Sequence, residues 1–210
     1  MINILVADDH TIVRAGLKQF VSDTNDISVL DEACNGEETL KKALNKEYDV
    51  IVLDITMPDI SGLDILKQLK TLNPQLKILV LTMHPEEQYA MRVIKAGASG
   101  YLTKDSAPQE LILAIRKVAL GHRYISSSLA EKLATYFEEN DGKPLYQKLS
   151  DREYQVMCLI ANGSKLRDIA QELNLSIKTV SSYRSRILQK LNIDSNAELI
   201  RYAVDNKIIY

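Results

Sequence analysis

Val50-Ile51-Val52-Leu53-Asp54 is the stretch on which the fold turns. Four branched apolar residues in succession leave no polar face for solvent. Such a run, ended by one carboxylate, reads as a strand buried on both faces of a parallel sheet. The same form recurs on either side. Ile4-Leu5-Val6-Ala7 is followed by Asp8 and Asp9, Ile78-Leu79-Val80-Leu81 by Thr82, and Gly100-Tyr101-Leu102-Thr103 by Lys104. Helical patterns separate these runs. Residues 11–22 carry Ile12, Ala15, Leu17 and Phe20; 36–46 carry Leu40 and Leu44; 62–72 carry Leu63, Leu66 and Leu69. Further on, 86–96 carry Tyr89, Val93 and Ile94, and 108–120 carry Leu111, Ile115, Val118 and Ala119. A weaker strand at 27–31 completes five βα units, so the expected fold is α/β, a doubly wound five-stranded parallel sheet with right-handed crossovers.

In such sheets a ligand site lies beyond the carboxyl ends of the strands. Asp8, Asp9, Asp54, Thr82 and Lys104 all fall there. One aspartate at a strand end is most often a turn or cap residue. Five suitable groups at four strand ends call for a shared cause. Three hard oxygen ligands suit magnesium. With a metal present, one carboxylate can attack a phosphoryl group while the metal and Lys104 absorb charge and Thr82 donates a hydroxyl.

The formal charge of −2 conceals an asymmetry. Residues 1–147 hold 16 basic against 21 acidic side chains, whereas 148–210 hold 10 against 7. Only the last part is expected to meet a polyanion. Cys34 and Cys158 sit alone in apolar contexts and read as buried thiols rather than a disulfide. No basic flank or apolar core segment marks a signal peptide near Met1, and no apolar stretch reaches membrane-spanning length. A soluble, cytoplasmic chain without a membrane partner is expected.

Past residue 120 the βα rhythm stops. Ser128 and Glu131 form a capping box leading into Leu129, Leu133 and Tyr136, and Glu139-Asn140-Asp141-Gly142-Lys143-Pro144 is a turn-rich break. The expected layout is therefore a first domain at 1–120, a linker with one helix at 121–147, and an all-α helix-turn-helix domain at 148–210. In that last part Ser150-Asp151-Arg152-Glu153 is a capping box, and 166–173 is a short helix. After Asn174-Leu175-Ser176, Ser176 caps the helix Ile177–Leu191, and Ser195 with Glu198 caps the last one. Val180, Ile187, Leu188 and Leu191 make one apolar stripe on the long helix. Lys178, Ser182, Ser185 and Gln189 lie opposite, flanked by Ser181 and Arg186. A face of hydroxyls, one amide and cations suits a DNA groove better than bulk solvent, which would favour Glu and Lys. Arg184, at the stripe edge, is expected to pair within the domain, with Glu153 as its partner.

These motifs resemble a known family. Asp8-Asp9, Asp54-Ile55-Thr56-Met57-Pro58-Asp59 with Gly62, Thr82 and Lys104 are similar to the receiver domain of bacterial two-component response regulators. Leu149-Ser150-Asp151-Arg152-Glu153, Ile169-Ala170 with Leu173, Thr179-Val180 and Lys190-Leu191 resemble the effector domain of the LuxR/FixJ/NarL class. The resemblance implies the strand order 2-1-3-4-5, shared with flavodoxin-like sheets. It implies that Asp54 accepts phosphate from a sensor histidine kinase, with Thr82 and Lys104 assisting. Magnesium would be held by Asp9 and Asp54, by Asp8 partly through water, and by the Thr56 backbone carbonyl. Thr82 and Tyr101 would act as the switch. Position alone makes Tyr101 half-buried packing.

The implied partners are the kinase, double-stranded promoter DNA, a second copy of the chain and RNA polymerase. Lys178, Thr179, Ser181, Ser182, Ser185, Arg186 and Gln189 would touch DNA. Leu166 stands where the family usually has asparagine, and Ser181 and Tyr183 replace a common lysine and histidine, so base preference does not carry over. The expectation is a transcription regulator, not an enzyme. The alternative is a DNA-binding regulator that never needs phosphate and uses its first domain as a dimerisation scaffold. A haloacid-dehalogenase-type phosphatase is disfavoured because Thr56 stands where its second acid belongs, and an RNA-binding antiterminator is disfavoured by the Thr179-Val180 helix. Thr56 and His84 flank the expected path of hydrolytic water, with His84 reading as an exposed loop residue beside Pro85.

Overall fold

A computed structural model of the chain describes residues 1–57, 60–106, 108–127, 129–131 and 144–209, and the chain divides into two compact units, Met1–Leu133 and Ala134–Tyr210. The first unit alternates strand and helix as β1 Ile2–Ala7, α1 Thr11–Ser22, β2 Ile27–Ala33, α2 Gly36–Asn45 and β3 Val50–Leu53. It continues with α3 Gly62–Leu72, β4 Ile78–Thr82, α4 Glu86–Lys95, β5 Gly100–Thr103 and α5 Pro108–Ala119. All five strands run parallel in the order β2-β1-β3-β4-β5. Every residue of β3 and β4 is buried, as uninterrupted apolar runs between two helical layers require. Each such Val, Ile or Leu contributes about 1.5–3 kcal/mol of burial.

Helix faces depart in places from the simple apolar reading. On α1 the residues that reach the core are Leu17 and Val21, whereas Ile12 is 87% exposed and Phe20 is also exposed. Cys34 is exposed, against expectation, because it belongs to the turn after β2 and not to the strand; Cys158 is buried. That turn is fixed by a reciprocal cap. Asn35 accepts the Glu38 N–H at 2.8 Å, and Glu38 accepts the Cys34 N–H at 2.8 Å.

The capping box expected at Ser128 and the helical face with Leu133 and Tyr136 lie outside the described residues, as does most of the turn-rich break before Pro144. Just before them, the Ser126 hydroxyl accepts the Leu129 N–H at 3.0 Å. Tyr124 extends the sheet edge, with the Tyr101 N–H donating to its carbonyl at 3.0 Å and its own N–H donating to Ser99 at 2.9 Å.

The second unit is helical: α6 Asp151–Ala161, α7 Leu166–Glu172, α8 Ile177–Leu191 and α9 Asn196–Asp205. The Ser150–Glu153 capping box is present, and Ser176 and Ser195 cap α8 and α9. The turn between α7 and α8 passes through Asn174 in the left-handed region (φ 51°), which asparagine tolerates. Val180, Ile187, Leu188 and Leu191 are all buried, as the stripe requires.

The pairing expected for Arg184 is different. Lys190 takes Glu153 at 2.6 Å, while Arg184 Nε donates to Asn196 Oδ1 at 2.6 Å. Glu153 starts α6 and meets the last turn of α8, and six residues of helix place Arg184 about 9 Å further back along the axis. Burial raises the Glu153 carboxyl, but Lys190 and the Ser150 N–H outweigh it and hold it below its ordinary value. A depressed acid contributes stability above its unfolded pKa and loses it as pH falls through the folded value. Glu153→Ala is therefore expected to cost about 2 kcal/mol near neutral pH, seen as faster amide exchange in α6 and α8. The difference from wild type should shrink on acidification. Equal exchange in the two proteins at neutral pH would refute the assignment.

Candidate functional site

The sheet ladder brings the strand ends together. The Asp8 N–H donates to Ala33 at 3.0 Å, the Asp54 N–H to Ala7 at 2.9 Å and the Lys104 N–H to Thr82 at 2.8 Å. Asp8 and Asp54 are each only 2% exposed, and the Lys104 ammonium bridges them at 2.7 and 2.6 Å. Burial pushes the Asp54 carboxyl up, and Lys104 with the Thr56 N–H (3.0 Å to Oδ1) pulls it back only in part. Burial also draws the Lys104 ammonium down, but the two carboxylates outweigh this and leave it above its ordinary value.

The chain then turns sharply. A β-carbon on Gly62 would lie 2.3 Å from the Asp54 carbonyl oxygen and 2.4 Å from Ile55 Cα, so only glycine lets α3 start against the peptide that carries Asp54.

Asp8, Asp9, His10 and Asp54 each present a ligand atom within 4.8 Å of the others. Asp9 Oδ1 is buried and, among the described residues, no hydrogen-bond donor reaches it in acceptable geometry, although His10 Nδ1 stands 2.8 Å away. An orphaned carboxylate oxygen beside two buried carboxylates fits a small hard cation.

On the opposite rim, Thr56 Oγ1 and His84 Nε2 are hydrogen-bonded at 3.1 Å. His84 is half-buried, not an exposed loop residue. Its ring stacks on Tyr89 with centroids 4.4 Å apart. Burial, helped by the Lys104 charge, holds the imidazole down to about 4, so it is neutral in ordinary buffers. Its backbone is anchored as well, with the N–H 3.4 Å from Thr82 Oγ1 and the carbonyl accepting the Tyr101 hydroxyl at 2.9 Å. Tyr101 is buried rather than half-buried. The hydroxyl of Thr82 is wholly buried behind the same segment.

In the second unit Lys178, Ser181, Ser182, Ser185, Arg186 and Gln189 are all exposed, and Thr179 is half-buried at the cap. Two of the serines bond back into the helix, Ser182 Oγ to the Lys178 carbonyl at 3.0 Å and Ser185 Oγ to the Ser181 carbonyl at 3.1 Å. A cavity of about 320 Å³ lies on this face, lined by Ser176, Lys178, Thr179, Ser182, Tyr183 and Arg186.

Comparison with known proteins settles the family. The model of the response regulator receiver domain matches residues 4–116, and that of the bacterial regulatory proteins of the luxR family matches 147–203. The chain is a two-component response regulator of the LuxR class. Response regulator UvrY of Escherichia coli K12 is 42% identical over 97% of this chain and 94% of its own. Response regulator GacA of Pseudomonas aeruginosa is 39% identical over 100% and 98%. Among solved structures, RcsB of Salmonella enterica serovar Typhimurium, bound to promoter rprA in the presence of the phosphomimetic BeF3-, superposes with a TM-score of 0.64. It is 28% identical over 97% of this chain and 99% of that one.

The regulator thus joins a receiver to a DNA-binding helix-turn-helix unit, and its class is that of transcription regulators. Among its described residues no helix is long and apolar enough to cross a membrane. Asp8, Asp9, Asp54 and Lys104 converge in one cluster beside Thr56, while Thr82 and Tyr101 are buried against the His84 backbone. Two neighbours of that cluster carry little sequence signal. His10 sits within the carboxylate cluster and is marked only by its place after the acidic pair. Arg14, whose Nη1 donates to the Asp8 carbonyl at 2.7 Å, has no local mark at all.

Proposed function

We propose that the regulator is switched by phosphorylation of Asp54, which favours its dimerisation and binding to promoter DNA. The observation that carries this reading is the buried Asp54 carboxylate, flanked by Lys104 and by an acidic cluster that fits a cation. Asp9 and Asp54 would hold magnesium directly, Asp8 partly through water, and the Thr56 carbonyl would complete the set. Bound there, the metal would draw charge from the phosphoryl oxygens. An Asp54 oxygen attacks the phosphorus of a phosphohistidine on a sensor kinase; the P–N bond breaks and the imidazole leaves with its electron pair. Lys104, already 2.6 Å from Asp54, releases its contact with that oxygen and pairs with the new phosphoryl group.

Thr82 turns its hydroxyl toward the phosphoryl oxygens. Because the His84 N–H lies against Thr82 and the His84 carbonyl against Tyr101, that rotation is felt directly by the aromatic ring. Thr82 and Tyr101 are therefore the switch pair. On this reading residues 1–120 form the receiver, 121–147 a linker with one helix and 148–210 the DNA-binding unit.

On the output side, Lys178 and Arg186 would anchor backbone phosphates, with Thr179 at the helix start, while Ser181, Ser182, Ser185 and Gln189 face base edges. This face is poor in forked cations, so tight binding needs paired half-sites and hence a dimer. RNA polymerase is the further partner such an output serves, and the cytoplasm is where kinase, DNA and polymerase meet. Phosphodonor treatment of the full chain should raise its dimer fraction and its affinity for a two-half-site DNA together. Unchanged affinity with phosphate on Asp54 would favour the phosphate-independent scaffold reading instead. Lys178→Ala should weaken binding to every sequence and reduce the slope of log affinity against log salt by about 1. A loss confined to one sequence, at unchanged slope, would move Lys178 from phosphate contact to base reading.

A further inference from the structure

Asp9 is held in place by something other than its own side chain. The side chain of Asp9 springs from the Asp8–Asp9 peptide, whose plane fixes the Cα from which the carboxylate reaches out. The Asp8 N–H is fixed by the Ala33 carbonyl at 3.0 Å, and Asp8 Oδ1 accepts the His10 N–H at 2.8 Å. The Asp8 carbonyl receives Arg14, which reaches back from α1 with Nη1 at 2.7 Å.

Arg14 is in turn clamped from the far side. Its Nε donates to Glu32 Oε2 at 3.1 Å, Glu32 is also paired with Lys18, and Nη2 comes within 3.4 Å of Thr11 Oγ1. The contact with Lys18, set against burial and aided by Arg14, holds the Glu32 carboxyl below its ordinary value. The side chain of Arg14 is 13% exposed. One planar fork thus spans β2 and the β1–α1 turn, a geometry that a lysine ammonium, as a point donor, cannot reproduce.

We infer that Arg14 is the positioning residue of the cation site: it fixes the Asp8–Asp9 peptide so that Asp9 Oδ1 faces the metal. The inference rests on the magnesium reading above and extends it to a residue that touches neither metal nor phosphate. Two physical effects oppose each other here and give opposite signs. As a charge, Arg14 repels a nearby cation, so removing it would tighten binding. As a clamp, it keeps a ligand in place, and outer partners of metal ligands commonly account for about 10- to 100-fold in affinity. The paired Glu32 cancels much of the repulsion, so the clamp should win.

The test is calorimetric titration of Mg2+ alone into the full-length chain, with no phosphodonor. Arg14→Lys keeps the charge and loses the fork. It is expected to weaken Mg2+ binding about tenfold, and Arg14→Ala more, within the range for such partners. The melting temperature is recorded alongside, so a variant that fails to fold is recognised and the lysine variant decides. Equal or tighter binding by Arg14→Lys would overturn the inference. Asp9→Ala separates the two readings. If wild type binds Mg2+ and Asp9→Ala does not, the cation site stands whatever Arg14 does; if wild type itself binds none, both readings fall.

Discussion

Incubated with acetyl phosphate and magnesium, the wild-type chain is expected to take up one phosphate, and Asp54→Asn none. The expectation follows from what surrounds that carboxylate. Asp54 is buried, faces Lys104 at 2.6 Å and stands within a ligand cluster that includes Asp8 and Asp9. Asparagine has nearly the same shape, so the pocket should keep its fold while losing the carboxylate that faces Lys104. Intact-mass measurement reads the result directly. Chelation of the metal should suppress uptake in the wild type as the mutation does. Full labelling of Asp54→Asn would move the phosphate to another residue and remove the basis of the proposed switch.

The second large effect concerns how long that phosphate lasts. Hydrolysis of an acyl phosphate needs a group that holds water in line with the phosphorus. The two side chains expected to flank that water, Thr56 and His84, are bonded to each other at 3.1 Å. The imidazole is further occupied by stacking on Tyr89 and is held neutral by burial. Each thus spends a hydrogen-bonding atom on the other rather than on water, and Thr56 has no amide with which to hold water and phosphate together. Slow self-dephosphorylation is therefore expected, so that the signal persists until a kinase or phosphatase removes it. Thr56→Asn should shorten the lifetime on the order of tenfold, because an amide at that rim restores in-line positioning. Phosphate loss from purified protein in magnesium buffer, followed by mass, decides it. A wild-type lifetime of seconds would contradict the expectation, as would an unchanged lifetime in Thr56→Asn.

The parallel sheet is readable from residues such as Val50–Leu53 and Ile78–Leu81 because burial on both faces permits only apolar side chains there. Asp8, Asp9, Asp54 and Lys104 at strand ends are readable for the complementary reason: charge at such positions demands a partner. The serine caps at Ser150, Ser176 and Ser195 are equally legible, since each bonds a backbone N–H three residues ahead.

What the chain conceals depends on distance along the sequence. Thr56 and His84 are 28 residues apart and Glu153 and Lys190 are 37, and no local pattern pairs them. Arg184 meets Asn196 and not Glu153, because position along the helix rather than charge decides its partner. Ile12 and Phe20 fit the apolar period of α1, yet the helix rotates so that Leu17 and Val21 fill the core. Exposure of Cys34 follows from where β2 ends, a boundary that composition does not mark.

Gly62 imposes a different kind of limit. With no space for even one carbon between it and the peptide of Asp54, position 62 cannot take a side chain, and the start of α3 is seated directly against that peptide. Position 62 is accordingly closed to substitution by any larger residue. Variation that retunes the response has to fall on other positions, in side chains such as Thr56 and His84 that meet across the pocket.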